Sequence, residues 1–233
     1  MTTTRTRTAL VTGASRGLGL ALTTALLDDG WHVVVDGRDV ERLAAAATSW
    51  PADRVSVVAG DVSDVAHRRR LVDAVTALGH LDLLVNNASI LGPSPQPALS
   101  AYPMDVLEQV YRVNTFAPLA LIQALNPMLH QGCVINVSSD AAVEAYAGWG
   151  GYGSAKAALD HLTAVLAVEL PHLRVYAFDP GDMATDLQQQ AFPGEDVSDR
   201  ADPRTVVPAL LRLVSGGLPS GRFKAADLKG VSA

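Results

Sequence analysis

The 233-residue sequence has a single cysteine, few aromatic residues and no long uninterrupted apolar run. One cysteine excludes a disulfide within the chain. Because Cys133 begins the apolar run 133–135, it is predicted to be a small buried side chain rather than a nucleophile. The longest apolar stretch, residues 116–125, is interrupted by Pro118 and Gln123 and is too short to span a bilayer. The six histidines lack metal-ligand spacing, so no metal site is predicted.

Positive charge is also scarce. The sequence has 18 lysines and arginines against 24 aspartates and glutamates, which gives a net charge of -6. This balance argues against nucleic acid and anionic membranes as partners. Residues 1–8 alternate threonine and arginine and lack the apolar stretch of a signal peptide. We therefore expect a cytoplasmic protein whose residues 1–7 form a flexible arm.

Short apolar runs alternate with longer helical patterns along the whole chain. The runs lack the polar alternation of a half-exposed strand, which is typical of strands buried on both faces. Alternating strands and helices predict an α/β fold, a doubly wound parallel sheet of about seven strands with helices on both faces. The predicted strands are residues 9–11, 33–35, 55–59, 81–85, 134–137, 174–178 and 222–224.

The helices are predicted from periodicity and from their start and stop residues. The first runs from the glycine-rich segment to about Asp29, and the third is capped by Ser63 or Asp64 and ended by Gly79. The others cover residues 41–47, 103–125, 152–170 and 203–214. No interdomain linker is visible, so residues 1–233 are predicted to form one domain, with the polar segment 186–202 as a surface lid.

Residues 12–19 read TGASRGLG and lie between the first strand and the first helix. Gly13 permits a tight turn, while Gly17 and Gly19 let the backbone approach a pyrophosphate. The free amides at the start of the helix would then face the phosphates. The alternative is an ordinary glycine-rich turn, but the flanking strand and helix favour a dinucleotide site.

A second pattern joins Ser139, Tyr152 and Lys156. Tyr152 and Lys156 lie one turn apart on the same face of a predicted helix, and Ser139 precedes Tyr152 by thirteen positions. A nearby ammonium favours the phenolate and lowers a phenol pKa of about 10 towards the range useful for acid–base catalysis. Each residue also has an ordinary structural interpretation as a packing aromatic, a solvated lysine or a cap. Ser138 is the alternative to Ser139.

Together these motifs resemble the short-chain dehydrogenases/reductases. The resemblance implies a single-domain Rossmann fold that transfers hydride between a nicotinamide and a carbonyl or secondary alcohol of a small organic substrate. It implies that Tyr152 is the acid–base group, that Lys156 tunes it and binds the nicotinamide ribose, and that Ser139 orients the substrate oxygen. Asn114 would support a water chain to Lys156. A homodimer or homotetramer is also implied. Ser89 departs from the glycine usual in the family.

The resemblance also implies a set of cofactor-binding residues at the ends of several strands. They are Gly13, Ser15, Arg16, Gly17, Leu18, Gly19, Arg38, Asp61, Val62, Asn87, Ala88, Tyr152, Lys156, Pro180, Gly181, Met183 and Thr185.

The choice between NADP and NAD depends on the end of the second strand, which reads Asp36-Gly37-Arg38. An acidic residue there would bind the ribose hydroxyl, whereas an arginine would accept a 2′-phosphate. Arg38, with Arg16 in the glycine loop, favours NADP(H) over NAD(H). Asp36 is the opposing observation, because a slip of one residue would bring it to the ribose.

The substrate pocket is expected to form from residues 90–95, 140–151 and 183–192, with Trp149 and Tyr146 as aromatic walls. Asp140, Glu144 and Asp182 either engage the substrate or are exposed loop carboxylates. Two other functions remain open at this point. One is a non-catalytic dinucleotide-binding regulator, and the other is an isomerase or dehydratase on the same fold.

Overall fold

A seven-stranded parallel sheet forms the centre of the protein. The computed structural model describes residues 5–228, and the strands lie in the order β3-β2-β1-β4-β5-β6-β7. This confirms the doubly wound α/β fold expected from the sequence. The strands are β1 Thr8–Val11, β2 His32–Gly37, β3 Val55–Ala59, β4 Leu83–Asn86, β5 Cys133–Val137, β6 Arg174–Asp179 and β7 Gly221–Lys224.

Helices cover both faces of this sheet. The α-helices are α1 Gly17–Asp28, α2 Val40–Ala47, α3 Val65–Leu78, α4 Met104–Tyr111, α5 Ala117–Leu129, α6 Gly150–Glu169, α7 Asp186–Ala191 and α8 Val207–Ser215. Within residues 5–228, no helix combines the length and apolar character needed to cross a membrane.

Successive residues of one strand enter different cores, which explains why the strands are apolar without alternation. Ala9 and Val11 of β1 belong to the core under α1 and α8. Leu10 between them belongs to the core under α3 and α5. Both faces of the strand are therefore buried on folding. Each apolar side chain that is removed from water adds to the stability of the folded state.

Cys133, the first residue of β5, is fully buried in the first of these cores. Burial raises the pKa of its thiol to about 12. A thiol held in its neutral form is a poor nucleophile, so Cys133 acts as the small hydrophobic residue that the sequence indicated.

The long helix predicted over residues 103–125 is interrupted in the structure. α4 ends at Tyr111, a π-helical turn follows over Arg112–Phe116, and α5 continues to Leu129. Asn114 lies within this turn and is fully buried. A π-turn inserts one residue into a helix without changing its composition, so apolar periodicity alone does not reveal it.

The predicted lid, residues 186–202, begins with a short helix rather than a loop. Thr185 caps α7 by accepting a hydrogen bond from the amide of Gln188 at 3.3 Å. Polar composition concealed this helix, although threonine at the cap position is a recognised start signal. The predicted arm is described only from Arg5 onward, and residues 1–4 lie outside the described residues. Arg5 pairs with Asp82 at 2.6 Å.

Candidate active site

A cavity of about 460 Å³ opens at the carboxyl ends of the strands. It lies where the strand order reverses direction, between β1 and β4, which is the usual ligand position in an open α/β sheet. Every catalytic and cofactor-binding residue predicted from the sequence lines this cavity except Gly19 and Asn114. Both of these are buried behind its wall. Of the two predicted aromatic walls, Trp149 lines the cavity, whereas Tyr146 is exposed and does not.

The glycine loop forms the floor of the cavity, and two of its glycines are required by close contacts. Gly13 has φ +67°, and a Cβ there would lie 2.9 Å from the Cα of Ala88. At Gly19 a Cβ would lie 2.3 Å from the carbonyl oxygen of Gly13. Gly19 thus lets α1 pack against the loop, while the loop itself faces the cavity.

The amino terminus of α1 faces this cavity and has no side-chain cap. Three other helices are capped, α2 by Asp39, α3 by Asp64 and α7 by Thr185. The first amides of a helix need acceptors, and the positive end of the helix dipole favours an anion there. The uncapped end of α1 therefore fits the pyrophosphate of a dinucleotide.

Asn87 holds the glycine loop in place from the end of β4. Its side-chain amide donates hydrogen bonds to the carbonyl oxygens of Thr12, at 2.9 Å, and Gly13, at 3.1 Å. Asn87 lines the cavity, as predicted, but its amide group binds the loop. Asn87 would therefore support a cofactor indirectly, by fixing the conformation of the glycine loop.

Asp36 is directed beneath the glycine loop, so the one-residue slip that would bring it to the ribose does not occur. Its carboxylate accepts a hydrogen bond from the Gly13 amide at 2.6 Å and lies 3.1 Å from His67 Nε2. Burial raises the pKa of Asp36, and the bonds to His67 and Gly13 oppose that rise. β2 continues through Gly37, which leaves Arg38 as the first exposed residue beyond the strand.

Three arginines surround the end of the cavity beside β2. Arg16 and Arg42 both form ion pairs with Asp186 of α7, the second with a nitrogen–oxygen distance of 2.7 Å. These bonds lower the pKa of Asp186. Partial burial opposes the ionised form of Asp61, but hydrogen bonds from Ser63 outweigh it and lower the pKa of Asp61, and the positive charge of exposed Arg38 adds to this. The sequence interpretation missed Arg42, although it follows Arg38 by four positions at the start of a helix.

Ser139 follows β5, is half-buried and lines the same cavity. Its hydroxyl donates to Asp140 at 2.9 Å and accepts from the Ala141 amide at 3.2 Å. Ser138 is almost fully buried. Both serines line the cavity, but of the two only the Ser139 hydroxyl is directed at the Tyr152 phenol.

Tyr152 is buried on α6 and directs its phenol towards the hydroxyls of Ser89 and Ser139. Burial raises the pKa of this phenol to about 12. The two hydroxyls lower it, whereas the negative charges of Asp179 and Asp140 raise it further. The resting protein therefore holds Tyr152 in the protonated form, in which a phenol can donate a proton.

Lys156 is also buried, one turn after Tyr152 on α6. Its ammonium donates a hydrogen bond to the carbonyl oxygen of Val137 at 2.7 Å and lies 5.6 Å from the centre of the Tyr152 ring. Burial lowers the pKa of Lys156 to about 8, and Asp160 opposes this change. The ammonium is thus held close enough to influence the phenol, and its charge depends on pH near neutrality.

Asn114 directs its side chain at residues 89 and 90 instead of the cavity. Its oxygen accepts hydrogen bonds from the Ile90 amide at 2.9 Å and from the Ser89 hydroxyl at 3.2 Å. Its nitrogen donates to the Ile90 carbonyl at 2.9 Å. Asn114 therefore fixes the chain after β4, and this bonding was not evident from the sequence.

Arg222 of β7 links three parts of the site. It donates hydrogen bonds to Asp160 at 2.9 Å, to Asp179 at 3.0 Å and to the carbonyl oxygen of Ser139 at 2.9 Å. The charge of Asp160 opposes the lowering of the Lys156 pKa by burial, and the charge of Asp179 adds to the raising of the Tyr152 pKa by burial. No sequence motif indicated Arg222, because its partners lie 43 or more positions away.

Apolar side chains cover the cavity beside Tyr152. The Trp149 ring centre lies 5.9 Å from those of Tyr152 and Phe192. Leu187 of α7 packs against the same cluster. The Ser94 hydroxyl donates to the Gln190 carbonyl at 2.7 Å, which connects the loop after β4 to α7.

The carboxylates proposed to contact substrate occupy different positions. Asp140 and Asp182 line the cavity, whereas Glu144 is exposed outside it. Asp140 is already engaged, because Tyr146 donates to it at 3.1 Å and Ser139 at 2.9 Å. Across residues 5–228, no group of three or more histidine, cysteine, aspartate or glutamate side chains is placed to hold a metal ion.

Comparison with known proteins extends over most of the chain. A family model described as short chain dehydrogenase matches residues 7–196. Among curated proteins, the rhamnolipids biosynthesis 3-oxoacyl-(acyl-carrier-protein) reductase of Pseudomonas aeruginosa is 35% identical, and the match covers 93% of this chain and 83% of that protein.

Solved structures are similar over nearly the whole fold. A Pseudomonas syringae chain proposed to be a short chain dehydrogenase superposes with a TM-score of 0.87 at 31% identity, over 94% of each chain. A Shigella flexneri chain crystallised with NADP gives a TM-score of 0.86 at 28% identity, over 94% of this chain and 97% of that one. The region matched by the family model, residues 7–196, includes the glycine loop and the helix that carries Tyr152 and Lys156.

Proposed function

This chain belongs to the short-chain dehydrogenase/reductase family and is an oxidoreductase for alcohol or carbonyl groups, and from this premise we propose that it is an NADP(H)-dependent carbonyl reductase. The arrangement of Tyr152, Lys156 and Ser139 around one end of the cavity carries this proposal. An acid, a cation and a hydroxyl donor converge there, as reduction of a carbonyl requires.

The family binds a nicotinamide cofactor, and the arginines support a preference for its phosphorylated form. A 2′-phosphate is a dianion that suits bidentate guanidinium partners. Arg38 is exposed at the end of β2, and Arg16 and Arg42 lie beside the same part of the cavity. Asp36 is directed beneath the loop and bonded to the Gly13 amide, so it is not available to bind the ribose 2′-hydroxyl. The NADP bound by the Shigella flexneri relative agrees with this preference.

Residues along the cavity would hold the two ends of the cofactor. The α1 amides and the glycine loop would receive the pyrophosphate, and the segment from Pro180 to Thr185 would border the nicotinamide. Lys156 would bind the nicotinamide ribose. When bound, the reduced nicotinamide supplies the hydride.

The protein's part in the reaction is to position the carbonyl and deliver a proton. Ser139 donates a hydrogen bond to the carbonyl oxygen and orients it beside Tyr152. Tyr152 gives its phenolic proton to that oxygen as negative charge develops there. The Lys156 ammonium then stabilises the phenolate through its charge. In alcohol oxidation the same phenolate removes the proton.

The cavity walls favour a carbonyl compound with an apolar or aromatic substituent. Trp149 and Leu187 offer flat and branched apolar surfaces next to Tyr152. Such walls stabilise a substrate in proportion to the apolar area that leaves water. Ketones, diketones and 3-oxoacyl thioesters form a suitable panel of test compounds.

Tyr152→Phe tests this function most directly, because it keeps the ring and removes the transferable proton. NADPH oxidation in the presence of the panel should fall by roughly 100-fold to 10,000-fold, while NADPH binding measured by fluorescence persists. Lys156→Ala should weaken both turnover and cofactor binding, and Ser139→Ala should lose about 2 to 4 kcal/mol of transition-state stabilisation. Tyr111→Phe, on α4 and outside the cavity, is the matched control.

The same assay separates the other two functions. A non-catalytic binding protein would bind NADPH but oxidise none of it with any carbonyl, and Tyr152→Phe would then change nothing. An isomerase or dehydratase would convert substrate without net NADPH consumption. If Tyr152→Phe keeps most of the wild-type activity, the role assigned to Tyr152 is wrong.

We further propose that the protein is a homodimer or homotetramer that associates through the outer faces of α4 to α6. Phe116 and Val168 are large apolar residues exposed on this side, with 54% and 80% of their surface in water. Burying them against a second copy would be favourable. Light scattering at micromolar concentration should give a mass of at least twice the 24.4 kDa of one chain.

A further inference from the structure

Ser89 lies three residues after the end of β4, on the wall of the cavity that contains Tyr152. Its hydroxyl donates a hydrogen bond to the side-chain oxygen of Asn114 at 3.2 Å. Asn114 is fully buried and is held by both the amide and the carbonyl of Ile90, each at 2.9 Å. A rigid amide therefore orients the Ser89 hydroxyl from behind.

In front, the same hydroxyl faces the phenol of Tyr152. Ser139 faces this phenol as well, but the Ser139 proton is directed at Asp140, 2.9 Å away. A hydroxyl has one proton, so Ser139 must break its bond to a carboxylate before it can donate elsewhere. Ser89 must only leave the neutral amide oxygen of Asn114.

The other hydrogen bonds of Asn114 keep the free-energy cost small when Ser89 changes its acceptor. When the Ser89 proton turns away, the Asn114 oxygen still accepts the Ile90 amide at 2.9 Å. No buried polar group is then left without a partner, which is the usual cost of such a rearrangement. Ser89 can thus exchange acceptors between Asn114 and Tyr152.

The charges around the phenol make such a donor useful. Asp140 after β5 and Asp179 at the end of β6 both oppose formation of a phenolate at Tyr152. Lys156 on α6 favours it, with its ammonium 5.6 Å from the ring centre. Burial also opposes the charged form, so a neutral donor that reaches the oxygen has a large effect.

We propose that Ser89 is a further catalytic residue, whose hydroxyl donates to the Tyr152 oxygen after Tyr152 has released its proton and turns back to Asn114 when the phenol is restored. Ser89 keeps its own proton throughout, so the only proton transferred is that of Tyr152. This inference rests on the proposed acid–base role of Tyr152.

The first test measures the phenol of Tyr152 directly and needs no substrate. Phenolate absorbance is titrated in the NADP⁺ complex, and the signal of Tyr152 is isolated by subtracting the Tyr152→Phe protein. The same subtraction is made in a Ser89→Ala background. We expect Ser89→Ala to raise the pKa of Tyr152 by about one unit, the effect of one hydrogen bond to a charged oxygen.

Two further variants show whether the hydroxyl itself is responsible. Ser89→Thr retains the hydroxyl and should keep the wild-type titration. Ser154→Ala removes a nearby hydroxyl on α6 that is bonded to the Gly151 carbonyl, and it should also titrate like the wild type. An unchanged titration in Ser89→Ala, an equal shift in Ser89→Thr, or loss of NADP⁺ binding by Ser89→Ala would each overturn the proposal.

The second test is the pH dependence of alcohol oxidation. In Ser89→Ala the pH at which kcat rises should increase by about one pH unit. At a fixed pH on the rising part of the profile, kcat should therefore be about 10-fold lower than in the wild type. KM should change little, because Ser89 acts on the phenol. If the wild-type protein oxidises no alcohol and reduces no carbonyl, the proposed function fails, and the titration still decides the role of Ser89.

Discussion

Asp36 accepts a hydrogen bond from the backbone amide of Gly13 at 2.6 Å, so the end of β2 supports the glycine loop from beneath. The other carboxylate oxygen lies 3.1 Å from His67 of α3. Asp36 therefore joins β2, the glycine loop and α3 under the cavity. An acidic residue that suggested NAD in the sequence has a structural role here, which leaves the cofactor preference to the arginines.

Replacing Asp36 should separate these two roles. Asp36→Ala leaves the Gly13 amide and His67 without a buried partner, which should cost about 1 to 3 kcal/mol in chemical denaturation. Asp36→Asn keeps an oxygen for the Gly13 amide and should be less damaging. The ratio of NADPH to NADH affinity should be unchanged in Asp36→Asn. A large change in that ratio would mean that Asp36 contacts the ribose and discriminates between the two cofactors.

Arg38→Ala should weaken NADPH binding more than any other single arginine substitution at this site. Arg16 and Arg42 are both paired with Asp186, whereas Arg38 is exposed at the end of β2. Losing its contact with the 2′-phosphate should cost roughly 1.5 to 3 kcal/mol, about a 10-fold to 100-fold loss of affinity. Fluorescence titration with NADPH and NADH measures this, and NADH binding should be nearly unaffected. Equal losses for both cofactors would contradict the assignment.

Asp186→Asn should have the opposite effect. The carboxylate neutralises two guanidinium groups that would otherwise attract the 2′-phosphate. All three side chains are partly exposed, so the gain is modest, and NADPH should bind roughly 2-fold to 5-fold more tightly. The gain should disappear at high salt, because these charges are accessible to water. Asp199→Asn, which breaks an ion pair with Arg200 outside the cavity, is the control.

Lys156 should give activity and stability opposite dependences on pH. Its folded pKa is about 8, against 10.5 when unfolded. Reduction requires the ammonium, so kcat/KM should fall as the pH rises through about 8. The unfolded chain binds the extra proton between pH 8 and 10.5, so the free energy of unfolding contributed by Lys156 should rise with pH over that interval.

Lys156→Met should remove both trends. Measurements between pH 8 and 10 avoid the titration of Tyr152, whose pKa rises on folding from 10.0 to about 12. Above pH 10 that residue makes the folded state less stable as the pH increases, because the folded form retains its proton longer. If the free energies of unfolding of wild type and Lys156→Met change in parallel from pH 8 to 10, the folded-state pKa of Lys156 is not lowered to about 8.

Arg222→Ala should destabilise the protein by roughly 2 to 3 kcal/mol, because Asp179 is left buried without its cation. Arg204→Ala breaks an exposed pair with Asp202 and should lower the free energy of unfolding much less, because water screens that pair. Denaturant titration compares the two. Turnover of Arg222→Ala should also fall, since Ser139 and Asp179 lose a shared anchor. Equal destabilisation by both variants would show that the Arg222 pairs contribute no more than surface charges.

The sequence by itself determined the fold class, the glycine loop and the positions of Ser139, Tyr152 and Lys156. Each of these depends on local order. Apolar runs specify strands because both faces are buried, Gly13 is required by a positive φ, and Tyr152 and Lys156 share a face because a helix repeats every 3.6 residues. Seven strands and most helices were predicted within a few residues on these grounds.

Only the tertiary structure decided where the charged and polar groups point. Asp36 turns beneath the loop because Gly13 and His67 meet there, and Arg42 reaches Asp186 across 144 positions of sequence. The π-turn that buries Asn114 against Ser89 has no periodic signature, and Arg222 finds its partners only when β7 lies beside β6. Hydrogen bonds and ion pairs act over a few ångströms, so their partners are set by how distant segments pack and not by their spacing along the chain.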